Sequence, residues 1–311
     1  MEEIQKQEEL LQNYFHVIDR RAEEVFRSFD GQHIFGDTTF SLLYAWQEHF
    51  AYAWRKAGDC IVVREHGLGD RYSCILIKKK NDRPFAVISE LEHMFDETGL
   101  PLSFEYVREE DLDFYREAGE RLGKNVIITS NEDDDDYIYE AEKFLSLEGK
   151  ENKGKRGSMN WLLRQYPDVE VRFWDGCDRR LRDDSLAVFE KWCGRHDCEK
   201  CFYGCEKKAF LRLLDIFDVS RHHLAVSYHG EQALSFAASE QVCDDVVCYY
   251  FQKNAACIRG LTYFLNREMM LQNHETGYIN LGEDMGLAGL REDKTGLHPC
   301  MKRKKYSVEL R

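Results

Sequence analysis

Three strand-like apolar runs follow one another over residues 223–229, 232–240 and 245–252. A helical stretch over 259–273 and one last short strand over 278–281 come next. Strands this close together in sequence pair antiparallel, because a parallel pair needs a crossover of a dozen or more residues. Upstream stand a strand, Val169-Glu-Val-Arg-Phe173, and helices over 183–193 and 206–217. Helices, a meander, a helix and a final strand make an α+β unit and exclude a doubly wound parallel sheet.

At 311 residues the chain exceeds the size at which a single core usually keeps growing, so two units are expected. The first half has the same kinds of element in weaker pattern. A helix is expected over 3–28, and another is capped by Asp37 or Thr38. Strands are expected at Cys60–Val63, Tyr72–Lys78, Val126–Thr129 and Tyr137–Tyr139. The expected organisation is an N-terminal unit over 1–150, a basic linking helix over 151–167 ended by Pro167, and a C-terminal unit over 168–311. The order of the second half is typical of the acyltransferase fold built around a splayed sheet.

A net charge of -14 disfavours general attraction to nucleic acid or anionic lipid, so any phosphate contact must be local. The basic clusters available are Lys78–Lys80, the stretch from Lys150 to Arg164, and Lys302–Lys305. No run reaches the roughly 20 apolar residues that span a bilayer, and no basic-then-apolar leader opens the chain; a cytoplasmic protein with no integral membrane segment is expected. The eleven cysteines then read as thiols. Cys193, Cys198, Cys201 and Cys205 form a candidate zinc cluster of which Cys198 and Cys201 supply only half the usual pattern; core and surface thiols are the competing reading. The acidic run Glu132–Asp136 lacks the ligand spacing of a calcium loop and reads as solvated.

The densest chemistry lies in Asn280-Leu-Gly-Glu-Asp-Met-Gly-Leu-Ala-Gly-Leu-Arg-Glu-Asp-Lys294. Asp284, Arg291 and Lys294 are the candidate catalytic residues for an anionic or carbonyl substrate, with Gly282 and Gly286 giving the backbone its turns. Lys253, Arg259 and Gly260 lie between a strand and a helix, where a helix N-terminus can hold phosphate or an oxyanion. Lys155 and Arg156 are further candidates for gripping phosphate. No nucleophile elbow, phosphate-binding Walker loop, zinc-protease motif or dinucleotide fingerprint appears.

The block Phe40-Ser-Leu-Leu-Tyr-Ala-Trp46, the block Phe144-Leu-Ser-Leu-Glu-Gly-Lys150, Lys155-Arg-Gly-Ser-Met-Asn160 and the closing Asn280–Lys294 segment resemble bacterial proteins similar to the C-terminal domain of phosphatidylglycerol lysyltransferase. The resemblance implies tandem GNAT-like (acyl-CoA N-acyltransferase-like) units, related to Fem-type enzymes that move an aminoacyl group from charged tRNA to an amine or hydroxyl. Each unit would be a mixed, mainly antiparallel sheet flanked by helices. No cofactor is implied with certainty; aminoacyl-tRNA or an acyl-CoA would be the donor, and the acceptor is unknown. The multispan membrane part that presents the lipid in those enzymes is not in this sequence. Two alternatives remain open: an acetyl-CoA-dependent N-acetyltransferase, and a noncatalytic binding protein that retains the fold.

Overall fold

The computed structural model describes residues 13–29, 35–67, 71–196, 204–272 and 276–311. It divides into two units, one of residues 1–135 with 303–311 and one of residues 136–302. Each contains one seven-stranded sheet.

In the first unit β1 (His16–Val17), β2 (Ala53–Ala57), β3 (Cys60–Gly67) and β4 (Arg71–Ile77) pair antiparallel in sequence order. The helix Phe85–Thr98 then crosses to β5 (Leu102–Val107), which runs parallel to β4 and meets it at one register pair, Cys74↔Phe104. The helix Leu112–Leu122 leads to β6 (Val126–Ser130). The seventh strand, lying between β5 and β6, is the chain's last: β14 (Tyr306–Leu310). Apolar residues alternating along β3, β4, β5 and β14 meet the inner faces of both helices, with Val62, Cys74, Phe104 and Val308 at the centre.

The expected helix over 3–28 is corrected where it is described. His16–Val17 pairs with β2 as an edge strand, and Asp19, whose carboxylate accepts from Arg21 N, starts the short turns that lead into the helix Glu23–Arg27. The next helix, Phe40–Phe50, is capped by Thr39 and not by its neighbours: the Thr39 hydroxyl accepts from Leu42 N.

One carboxyl in this unit is buried with no cation on it among the described residues. Glu65 on β3 is 7% exposed and accepts from Ser73 Oγ at 2.6 Å across the β3–β4 ladder. Burial pushes its pKa up to about 7, with Glu105 and Asp37 adding to the rise. A raised carboxyl contributes stability that is complete below the ordinary value near 4.5 and is lost as pH rises through 7. Glu65→Gln should therefore stabilise the protein by about 2 kcal/mol at pH 8 and flatten the loss between pH 4.5 and 7 in urea titrations. An unchanged slope would count against this account.

The second unit repeats the plan. β8 (Val169–Phe173), β9 (His222–His229), β10 (Gln232–Cys243) and β11 (Val246–Asn254) are antiparallel. The helix Leu261–Gln272 crosses to β12 (Tyr278–Asn280), parallel to β11. Beyond β12 lie β7 (Asp136–Glu140), antiparallel to it, and β13 (Met301–Arg303) at the edge. The helices Ala141–Ser146 and Leu261–Gln272 cover one face over Ala225, Ala237, Val247 and Ile279. On the other face Phe189 and Phe210, from the helices Arg179–Cys193 and Glu206–Asp215, pack on Phe236 at 5.6 and 4.6 Å between ring centroids.

The unit boundaries differ from those read off the sequence. β7 and the two helices that follow it, Ala141–Ser146 and Lys153–Gln165, belong to the second unit, while residues 303–311 return to the first. Each sheet thus takes one strand from far along the chain, a pairing that local pattern does not encode. Among the described residues no helix is long and apolar enough to cross a membrane.

Candidate functional site

The site follows from how β11 and β12 separate. Their parallel ladder holds only Val246↔Tyr278, Val247↔Ile279 and Cys248↔Asn280. β12 then ends, while β11 runs on to Asn254. The segment 281–287 departs at this splay and leads into the helix Ala288–Gly296.

That segment is pinned from several sides. Asn280, 1% exposed, accepts from Gly282 N at 2.7 Å and donates to Asp136 Oδ2 at 2.7 Å. Gly282, Met285 and Gly286 all have positive φ (68°, 54° and 70°), so the chain turns tightly about Asp284. The turn brings Gly286 N within 2.9 Å of Asp284 Oδ1.

Asp284 is completely buried. Its carboxylate also accepts from Tyr137 OH at 2.6 Å and from a two-pronged Arg291 guanidinium, Nε at 2.9 Å and Nη2 at 2.8 Å. The Arg291 bonds, with help from Tyr137 and the Gly286 amide, outweigh burial and hold the carboxyl well below the usual carboxylate range. Such a group takes up a proton poorly at neutral pH, and its oxygens are occupied. Its geometry is that of an anion that orients Arg291.

Arg291 is placed differently. Fixed in direction by the fork, it keeps 42% of its side chain exposed. Lys294, half-buried, donates to Leu281 O at 2.8 Å and also to Glu283 O, and its own carbonyl accepts from Tyr139 OH at 2.7 Å. It closes the loop that Arg291 stands on. The three residues singled out in the closing segment are thus brought together, with unlike roles.

The remaining candidates are spread more widely. Lys253, 13% exposed, pairs with Glu206 at 2.9 Å and lies 4.2 Å over the Trp192 ring, so its charge is spent inside the unit. Arg156 donates to Gly149 O at 2.8 Å and to Leu147 O, tying off the end of the helix Ala141–Ser146. Lys155 donates to Asn152 Oδ1 at 2.7 Å, and burial lowers its pKa. Ser158, one turn along the same helix, accepts from the exposed Arg259 at 3.1 Å. Gly260, φ 84°, packs directly on that helix.

Of the four candidate zinc ligands, Cys198 and Cys201 lie outside the described residues. Cys193 ends its helix half-buried and Cys205 is exposed. His196 stacks on Trp192 at 4.0 Å between centroids. Of the basic clusters, Lys78 is buried in an ion pair with Asp111, and Lys305 in one with Asp37. Residues that the sequence did not flag as functional are the tyrosines. Tyr137 and Tyr139 read only as strand, yet their alternation on β7 aims both hydroxyls at the 284–294 segment.

Comparison with known proteins places this geometry. A conserved protein of unknown function from Bacteroides thetaiotaomicron is 21% identical, with a TM-score of 0.85 over 96% of this chain and 99% of that one. L-PGS from Bacillus licheniformis is 17% identical, with a TM-score of 0.69 over 94% and 92%. At these identities the likeness shows the fold: two units, each a mixed, mainly antiparallel sheet flanked by helices. An uncharacterized protein of Mycoplasmoides gallisepticum is 21% identical over 183 residues, so the match spans 58% of this chain and only 58% of that relative's length. The family described as phosphatidylglycerol lysyltransferase, C-terminal, matches residues 32–309 and so includes the β11–β12 pair and the Asp284–Arg291 fork: the chain belongs to this family.

Proposed function

We propose that this protein transfers an aminoacyl group, carried by aminoacyl-tRNA, directly to an amine or hydroxyl acceptor. The observation that carries the reading is Arg291, aimed by a buried carboxylate and 42% exposed on the helix that follows β12. A planar cation fixed in direction suits a phosphate or a developing oxyanion, and the cost of ordering it is met during folding. Asp284 serves as the group that orients Arg291, and Lys294 holds the loop. Arg259, which donates to Ser158, and Lys155, three residues earlier on that helix, contact donor phosphate. Transfer proceeds by attack of the acceptor on the bound carbonyl, with no enzyme-bound acyl intermediate; positioning and electrostatics supply the rate.

The test is a binding titration with lysyl-tRNA, uncharged tRNA and acetyl-CoA at low and physiological salt. The expected result is a preference for the charged tRNA that weakens as salt rises. Saturable binding of acetyl-CoA alone would replace the donor, and binding of none of the three would leave a noncatalytic protein that retains the fold. Arg291→Ala is expected to weaken lysyl-tRNA binding by about tenfold, the loss of one charge-assisted contact.

A further inference from the structure

Three tyrosines share the apolar cluster under the helix Leu261–Gln272: Tyr137 and Tyr139 of β7, and Tyr249 of β11. Two of their hydroxyls are committed, to Asp284 and to Lys294 O, and so end on the segment that carries Arg291. The third is not. Tyr249 is 8% exposed, and its hydroxyl meets no hydrogen-bond partner among the described residues. The same is true of Ser239 Oγ, on a residue with no exposure at all.

Ser239 and Tyr249 are opposite each other in the β10–β11 ladder, so they share a face of the sheet at cross-strand distance. His223 on β9 is opposite Ser239 in turn and completes a row of three polar side chains. Burial and the neighbouring His222 hold the His223 imidazole below its usual range, which keeps it neutral near pH 7. Native interiors seldom leave hydroxyls unpaired, and two on register partners of one row call for an occupant.

Their place in the fold indicates which. The β11–β12 ladder stops at Cys248↔Asn280, so Tyr249 is the first residue of the splay. A register shift between Ala238 and Ser239 leaves one extra residue on β11 at the same point. Bulges re-aim side chains and are over-represented beside active sites.

We propose that the Tyr249 and Ser239 hydroxyls bind the carbonyl oxygen of the acyl group being transferred, with Tyr249 as the principal donor. This assignment rests on the acyl-transfer reading above. Burial holds the phenol far above its ordinary pKa, so it remains protonated and donates. As the acceptor's lone pair bonds to the carbonyl carbon, the carbonyl π electrons move onto oxygen, and the resulting oxyanion accepts from Tyr249. When that intermediate collapses, the electrons return, the bond to the donor's ester oxygen or thioester sulfur breaks, and the acceptor's proton leaves with that group. Arg291 is then free to hold donor phosphate, which separates the two anionic demands of the reaction.

The test uses the full chain and the variants Tyr249→Phe and Ser239→Ala, with lysyl-tRNA and acetyl-CoA as donors and hydroxylamine as surrogate acceptor. Tyr249→Phe is expected to lower kcat about 100-fold while KM for the donor moves less than about threefold, the signature of an interaction made in the transition state. Its unliganded thermal midpoint is expected to stay level or rise by about 2 °C, since an unpaired buried hydroxyl is removed. Ser239→Ala should show the same split with a smaller loss. Tyr249→Phe that transfers at the wild-type rate overturns the assignment alone. A midpoint that drops by more than about 5 °C, with kcat falling only in step with the folded fraction, overturns it in favour of a bridging structural water. Wild-type protein that binds neither donor overturns the acyl-transfer reading and this assignment with it.

Discussion

Asp284→Asn is expected to destabilise the second unit by about 3 kcal/mol at pH 7, measured by urea unfolding. The carboxylate accepts from Tyr137, from the Gly286 amide and twice from Arg291, with no solvent exposure. Asparagine offers one acceptor oxygen in place of two and turns a donor amide toward groups that are themselves donors. Removing one partner of a buried ion pair typically costs 3–5 kcal/mol, and the 42% exposure of Arg291 keeps the expected loss at the low end.

The pH dependence has a definite sign. A carboxyl whose pKa is depressed on folding contributes stability that is fully present above its unfolded value, about 4, and is lost as pH falls toward the folded one. The gap between wild type and Asp284→Asn should therefore be constant from pH 5 to 8 and narrow below about 4. A gap under about 0.5 kcal/mol at pH 7 would mean that the fork contributes little to the unit's stability. Because Arg291 loses its fixed direction in this variant, lysyl-tRNA binding should weaken as it does in Arg291→Ala. That parallel separates an orienting role from a base: loss of a base would depress kcat and leave the binding of charged tRNA unchanged.

The second half of the chain was the legible half. Apolar alternation over 222–254 announces a meander, because connections this short leave no other pairing, whereas the parallel pairing of β12 with β11 shows only in the structure. The first half hid more: β5 and the helices on either side of it went unread, and His16–Val17 is an edge strand inside what looked like one long helix. The placement of β14 between β5 and β6, and of β7 beside β12, depends on pairing across most of the sequence, which no local period reports. Chemistry at the site was legible as residue types but not as roles. The sequence places Asp284 seven residues before Arg291. It does not say that Tyr137, 147 residues earlier, supplies a hydroxyl to the same carboxylate and thereby buries it. Likewise Lys253 reads as an available cation until the packing of Glu206 and Trp192 around it is known.

Gly260→Ala is expected to destabilise the second unit by about 4 kcal/mol, the largest single-residue effect at the turn between β11 and the helix Leu261–Gln272. Two independent constraints meet at this position. Its φ of 84° lies in the left-handed region, where a side chain costs roughly 1–2 kcal/mol. A Cβ there would also lie 2.3 Å from Ser158 O and 2.9 Å from Met159 N. Both atoms are backbone of the helix Lys153–Gln165, so no rotamer change relieves the overlap and the helix must move. That helix is packed through Leu162, which has no exposure, onto Leu234, Leu261 and Phe264. Moving it opens the cluster beneath the sheet and also withdraws Ser158 from Arg259. A change at one glycine should thus lower the unfolding midpoint and weaken lysyl-tRNA binding together, whereas Arg259→Ala should affect binding with little change in stability. Equal unfolding midpoints for Gly260→Ala and wild type would show that the turn and the helix are not in the close contact described.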